Sequence, residues 1–268
     1  MQNDVSTIWH GLPSDIVSKI ERCVAAGCEQ ISTRGDAHIF FRADDIAVPG
    51  KQFAHLLEVF SQNRVPLCLA VVPAWLTRPR WLALERVAKN FASRWCWHQH
   101  GWRHVNHEID GKKQEFGPVR CRADLEHDIH CGRQRLENLL GKNFSPVFTP
   151  PWNRCDKKAL DVLKNLDYAA VSRSRGSSLP PPKGLLNLDV NVDLHTRKEK
   201  TLTAGWDNLL DELQRAIASG LCGIMIHHQR MNQAAFDFMN ILLMILTRRK
   251  ELNLVHFKDL IYPAYTQC

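Results

Sequence analysis

Short apolar runs alternate along this chain with longer segments whose apolar residues recur every three to four positions. That alternation predicts parallel strands joined by crossover helices. The runs fall at 37–42 (AHIFFR), 66–72 (PLCLAVV), 94–98 (RWCWH), 146–149 (PVFT), 168–172 (YAAVS), 185–191 (LLNLDVN), 221–226 (LCGIMI) and 253–256 (NLVH). Helical periods fit between them at 14–26, 51–63, 79–92, 120–140, 156–166, 203–219 and 232–249. In the second of these, Phe53, Leu56, Leu57 and Phe60 share one face, which a helix buries against a sheet. Seven or eight β/α units in 268 residues favour a closed barrel over an open doubly wound sheet. The one proline-rich stretch, 177–184 (SSLPPPKG), reads as a loop, so the whole chain, 1–268, is expected to be a single domain.

In a β/α barrel the chemistry sits where the strands end, and here polar clusters begin where apolar runs stop. Asp44 and Asp45 follow the first run (FFRADD). Adjacent carboxylates repel unless a cation or a shared proton relieves them, and at a strand end one can bind a metal while the other faces water. The third run opens WCWHQHGWRHVNHE, which packs four of thirteen histidines and three of eight tryptophans into residues 95–108. His100 and His104 are spaced i, i+4, so a helical turn after the strand would put both on one metal. His98 shares their face of the strand, with Trp95 and Trp97 on the other. One Asp and two His leave coordination positions open to solvent, the pattern of a catalytic metal rather than a structural one. His227 and His228 end the apolar run LCGIMI, where one imidazole can serve as a general acid. In FTPPWNR two prolines stiffen the loop that presents Trp152, and Trp152, Trp102 and Trp75 offer flat apolar faces to a sugar ring.

Composition narrows the classes. The hydrophobic fraction of 44% and charged fraction of 24% are those of an ordinary globular protein. The net charge of +7 is scattered, with TRRK at 247–250 its densest run, so nucleic-acid binding is not expected. Nine cysteines without a C-x-x-C pair argue against a disulfide framework and for a reducing, cytoplasmic address. No segment reaches the ~18 apolar residues of a membrane span.

The ordered set of motifs resembles the polysaccharide deacetylases, the NodB-homology or carbohydrate esterase family 4 proteins. The Asp-Asp pair, HGWRH, TPPW, the acidic segment DVNVD and IMIH follow in the family's order between residues 37 and 230. The resemblance implies a distorted, incomplete β/α barrel of seven strands. It implies Asp44 as general base, Asp45, His100 and His104 as ligands of a divalent metal (Zn²⁺ by expectation), and His227 as general acid with His228 as its substitute. It further implies an N-acylated sugar or polysaccharide precursor as substrate. Asp193 of the acidic segment, Trp152, Trp102 and Arg154 are the expected substrate contacts. Thr149 stands where the family's third motif usually carries Arg, leaving Arg154 or Arg42 to hold the catalytic carboxylate. The insert VNHEIDGKKQEFGPVR resembles a divergent branch associated with bacterial surface-polysaccharide clusters, in which Glu115 would face the site. Two other readings stand beside this one: a carbohydrate-binding protein without turnover, and an amidohydrolase-type metal site using His98 and His100.

Overall fold

The computed structural model describes residues 5–31, 35–177 and 179–262, so Cys268 and Ser178 of the proline-rich loop lie outside the described residues. The nine strands are β1 (Ala37–Ile46), β2 (Leu67–Val71), β3 (Trp95–His100), β4 (Phe144–Thr149), β5 (Ala170–Val171), β6 (Leu186–Asn187), β7 (Val192–Asp193), β8 (Leu221–Ile226) and β9 (Leu252–Leu254). The helices are α1 (Ile16–Glu29), α2 (Lys51–Gln62), α3 (Arg78–Ala88), α4 (Arg122–Leu140), α5 (Lys157–Asn165), α6 (Leu202–Ala218), α7 (Gln233–Leu246) and α8 (Phe257–Ile261). All strand pairs are parallel, in the order β6-β5-β4-β3-β2-β1-β8-β7.

The period of two in each strand sorts residues between two environments. On β1, Ile39, Phe41 and Ala43 face the helices, whereas Phe40, Arg42 and Asp44 lie on the barrel side. On β3, Trp95 and Trp97 pack outward, with the Trp97 ring edge-on to Trp81 of α3 at 5.0 Å. Polar residues just before four of the helices accept the free N–H groups of the first turn: Thr77, Asp156, Thr201 and Asn232.

Closure depends on one bent segment. The apolar run at 185–191 predicts one strand, but the chain pairs first with β5 and the residues after it, through Leu188 N–H to Val171 O (2.9 Å) and Val190 N–H to Arg173 O (2.7 Å). It then turns to β8, where Asn191 N–H donates to Gly223 O (2.9 Å) and Leu194 N–H to Met225 O (3.2 Å). The Asn191 side chain spans the seam, accepting from Gly223 N–H (2.9 Å) and donating to Leu221 O (2.8 Å). With β6 and β7 as halves of one stave, the barrel has seven, as in a distorted (β/α)7 barrel. The run at 253–256 is not an eighth stave: β9 pairs only with the first residues of β1, Ala37 to Ile39.

β9 delivers α8, which seals the floor. Phe257 is fully buried, with its ring 5.0 Å from those of Phe40 and His98. Cys68, Cys96, Val147, Ala170 and Met225 complete this apolar layer. The eight described cysteines are free thiols. Among the described residues no helix is long and apolar enough to cross a membrane.

Phe257→Ala removes the plug without touching the mouth. It should cost about 3–5 kcal/mol of unfolding free energy by denaturant titration, and a loss below about 1 kcal/mol would contradict this account of the floor.

Candidate active site

Adjacent residues on a strand point to opposite faces, yet both Asp44 and Asp45 reach the mouth. Asp44 keeps the inward position, and Asp45 leaves the pleat: its φ is 60°, and the β1–β2 register shifts between Ala43 and Ile46. A bulge at a strand end re-aims a side chain in this way. Gln229 Nε2 fixes the turn by donating to Asp45 O (2.8 Å).

His100 ends β3 on the inward face. The expected helical turn after it does not form; residues 101–107 are an irregular loop that turns back at Gly101 (φ 59°) and His104 (φ 59°). A Cβ on Gly101 would lie 2.2 Å from Glu115 Oε2 and 2.6 Å from the Pro151 ring, so glycine alone fits there. The start of the loop is tied down through its backbone. Gly101 N–H donates to Thr149 O (3.1 Å), Gly101 O accepts from Gln99 Nε2 (2.9 Å), and Trp102 O accepts from Ala74 N–H (3.0 Å). Trp102 N–H (3.1 Å) and Arg103 N–H (2.6 Å) both donate to the Glu115 carboxylate.

This brings the His100 and His104 rings to 5.2 Å. Asp45 Oδ1 stands 3.3 Å from each Nε2. Neither approach is aligned as a hydrogen bond, and Oδ1 is buried without a partner. A buried carboxylate oxygen facing two imidazole nitrogens, with hydrogen bonds to neither, is the donor set of a divalent cation. The three donor atoms lie within 4.8 Å of one another. His100 Nδ1 is 3.0 Å from Thr149 O, and donation there leaves the Nε2 lone pair facing Asp45, the usual support of a metal-binding imidazole. These residues fit the metal that the sequence implies.

Asp44 has a different partner. Arg42, two residues earlier on the same face, grips it in a fork: Nε to Oδ1 and NH2 to Oδ2, each 2.8 Å. The guanidinium also donates to Ser172 Oγ (2.8 Å) and Asn153 Oδ1 (2.6 Å). Of the two arginines, Arg42 is the one that holds the Asp44 carboxylate; the Arg154 guanidinium donates to Lys113 O (3.3 Å). Burial would raise both carboxyls. Arg42, His100 and His227 beside Asp44, and His100, His227 and His104 beside Asp45, outweigh it and hold both below the usual carboxylate range.

The histidines after β8 separate. His227 is half-buried, lies close enough to both carboxylates to lower them, and leaves its Nδ1 without a partner. His228 is buried against Phe53 of α2, ring centroids 5.9 Å apart, and burial pushes its pKa down to about 4. His98 lies deeper, its Nε2 3.0 Å from Thr149 Oγ1, and burial lowers it to about 3. It is outside the donor group; among the described residues only Asp45, His100 and His104 form one.

Among the expected substrate contacts, Trp152 lies at the mouth, its ring 4.4 Å from His104, with Trp75 at 5.7 Å. Trp102 does not, because its ring packs on the apolar cluster of α4 and α5. Glu115 is fully buried and its carboxylate accepts the loop's N–H groups, so it braces the His104 loop from within and does not face the mouth. Asp193 likewise serves its own turn, with Oδ1 accepting from His195 and Thr196 N–H at 3.0 Å each. Two further residues carry no signal in the sequence. His195 is buried, and its Nδ1 accepts the backbone N–H of His227 (3.2 Å). Asn153, left-handed at φ 61° like Trp152 (φ 56°), ties the fourth strand's loop to Arg42.

No family model and no curated protein matches the chain. Solved structures do. A protein from Mycobacterium smegmatis assigned as a polysaccharide deacetylase superposes with a TM-score of 0.64 at 12% identity, over 88% of this chain and 92% of that one. A family 4 acetyl xylan esterase from Clostridium thermocellum, in complex with a cobalt ion, gives 0.54 at 12% identity, over 84% and 90%. A mutant of a Bacillus anthracis carbohydrate esterase family 4 pseudoenzyme, with restored enzymatic activity, gives 0.52 at 11% identity, over 84% and 68%. At such identities the likeness is one of fold, and the fold is the distorted barrel of the NodB type.

The buried Arg42–Asp44 pair yields a pH-dependent prediction. A carboxyl lowered in the folded state adds stability above its unfolded pKa of about 3.9 and loses it as pH falls through the folded value. Arg42→Met should therefore cost about 3–5 kcal/mol at pH 7 in denaturant titrations, with the deficit narrowing toward pH 4 as the stranded carboxyl takes a proton. A deficit independent of pH would contradict the pairing.

Proposed function

We propose that this protein is a metal-dependent hydrolase that removes an N-acyl group, most simply acetyl, from a sugar or polysaccharide precursor. The observation that carries the reading is the division of labour between adjacent carboxylates: Asp44 is forked by Arg42, whereas Asp45 Oδ1 faces two imidazoles without a hydrogen bond. Support comes also from the fold, which proteins described as a deacetylase and an acetyl xylan esterase share.

Asp45 Oδ1, His100 Nε2 and His104 Nε2 would hold the cation, for which this mixed nitrogen and oxygen set suits Zn²⁺. Bound there, it supplies Lewis-acid polarisation of the acyl carbonyl and a lowered water pKa. Asp44 takes the proton of the attacking water on a carboxylate oxygen. Arg42 serves that step by keeping Asp44 ionised and by fixing its plane, since both guanidinium bonds run along the carboxylate fork. His227 delivers a proton to the departing amine, which leaves poorly as an anion. His195 steadies it through the backbone, and the burial of His228 against Phe53 argues for His227 as the acid of the pair. Trp152 and Trp75, both beside His104, offer apolar walls for a sugar face.

The missing third-motif arginine would favour the reading without turnover, and the fork of Arg42 on Asp44 argues against it. The His98/His100 reading is weakened by the engagement of His98 with Thr149.

Asp45→Ala and His104→Ala should each lose bound metal by elemental analysis, whereas Asp44→Asn should keep it and lose about 10²–10⁴ in turnover. Full metal occupancy in both ligand variants would overturn the proposal. His227→Ala should lose a similar factor on amides but far less on an aryl acetate, whose phenolate leaves without a proton. Equal losses on both substrates would exclude His227 as the acid.

A further inference from the structure

Beside the mouth lies a cavity of about 450 Å³ between the Trp152–Cys155 loop and the segment after β5. Four cationic side chains line it, Lys112, Arg154, Arg173 and Arg175, and among the described residues no carboxylate does. Arg173 is the telling member. It is 2% exposed, yet its Nε is buried without a partner, and its one side-chain hydrogen bond is NH2 to Asn187 Oδ1 at 3.3 Å. The other deeply buried guanidiniums are paired, Arg42 with Asp44 and Arg197 with Glu199 and Glu212. Among the described residues Arg173 has no such carboxylate. Asp189, two residues beyond Asn187, lies near enough for the Arg173 charge to act on its carboxyl, but it makes no ion pair with Arg173 and accepts from Asn187 Nδ2 (2.7 Å).

The Arg173 charge is thus only partly balanced, by an Asp189 carboxylate that forms no ion pair with it; a buried charge so balanced is costly, and an anion entering from solvent would relieve it. Arginine's planar fork matches phosphate geometry, and four cations exceed what one carboxylate would balance. The cavity also adjoins the chemistry. Trp152, which lines it, lies tilted against His104, and Asn153, which lines it too, bonds Arg42. A sugar held at Trp152 would have its phosphoryl substituent within this pocket.

We infer that the pocket binds a phosphoryl group, so that the acylated sugar enters as a glycosyl phosphate or diphosphate. This rests on the deacetylase reading and narrows its substrate class. Nucleoside diphosphate sugars and lipid-linked sugar phosphates share this chemistry.

The test is calorimetric titration of the full-length, metal-loaded protein with uridine diphosphate, dodecyl phosphate and neutral N-acetylglucosamine. At least one phosphoryl probe should bind more tightly than the neutral sugar, and the tighter of the two identifies the nucleoside or lipid source. That binding should weaken about tenfold in Arg173→Met and several-fold in the exposed-site variant Arg175→Gln. It should survive in Asp45→Ala, which separates the pocket from any bound metal. Phosphoryl binding that is absent, unchanged in Arg175→Gln and Arg173→Met, or lost only with the metal would overturn the inference. If phosphoryl binding holds while no variant or wild-type protein binds metal or releases acyl groups, the deacetylase reading fails and the pocket stands. Turnover of neutral sugars without phosphoryl binding would do the opposite, ending the phosphoryl pocket and leaving the deacetylase in place.

Discussion

The site depends on the fork between Arg42 and Asp44. Two residues apart on one strand face, they pair inside the barrel, and the guanidinium reaches Ser172 beyond β5 and Asn153 beyond β4. One side chain therefore couples the ends of three strands to the carboxylate. Burying such a pair costs desolvation that its attraction only partly returns, so the pair is poor evidence for stability. Its consequence is chemical: Asp44 stays a carboxylate next to Asp45 with its own, separate partner. The apolar floor of Phe40, Cys68, Val147 and Phe257 beneath it keeps the barrel filled where the polar column ends.

Backbone strain is concentrated around this fork. Asp45, His104, Trp152 and Asn153 all hold left-handed backbone angles, a conformation that costs non-glycine residues of order 1–2 kcal/mol each. The surrounding structure fixes them: Gln229 on Asp45 O, Glu115 beneath the His104 loop, Arg42 on Asn153. Such angles bring side chains to a common point that regular strands and helices would have aimed apart.

What the sequence can disclose follows from this. Period-two alternation places Arg42, Asp44 and His100 on the barrel side and Trp95 and Trp97 outside, because strands allow only two faces. Strand ends mark the mouth, and the pairing of His100 with His104 is legible from spacing, though through a loop and not the expected helical turn. The positive φ at His104 and Asp45 leaves no periodic trace. Glu115 reads as a substrate contact because nothing in QEFG discloses two backbone N–H groups twelve and thirteen residues earlier. Trp102 escapes prediction for a similar reason: a tryptophan beside the ligands packs toward whichever apolar cluster the loop turns it to, here that of α4 and α5. The bend that splits 185–191 depends on Asn191 satisfying the seam with β8, a partnership 30 to 32 residues away in sequence.

The most direct test of the proposed metal centre is anomalous scattering from a crystal of the zinc-soaked protein. The account predicts one peak, about 2.0–2.2 Å from Asp45 Oδ1, His100 Nε2 and His104 Nε2, with Asp44 outside the coordination shell. A peak elsewhere, or none with Asp45 hydrogen-bonded directly to the two imidazoles, would contradict it.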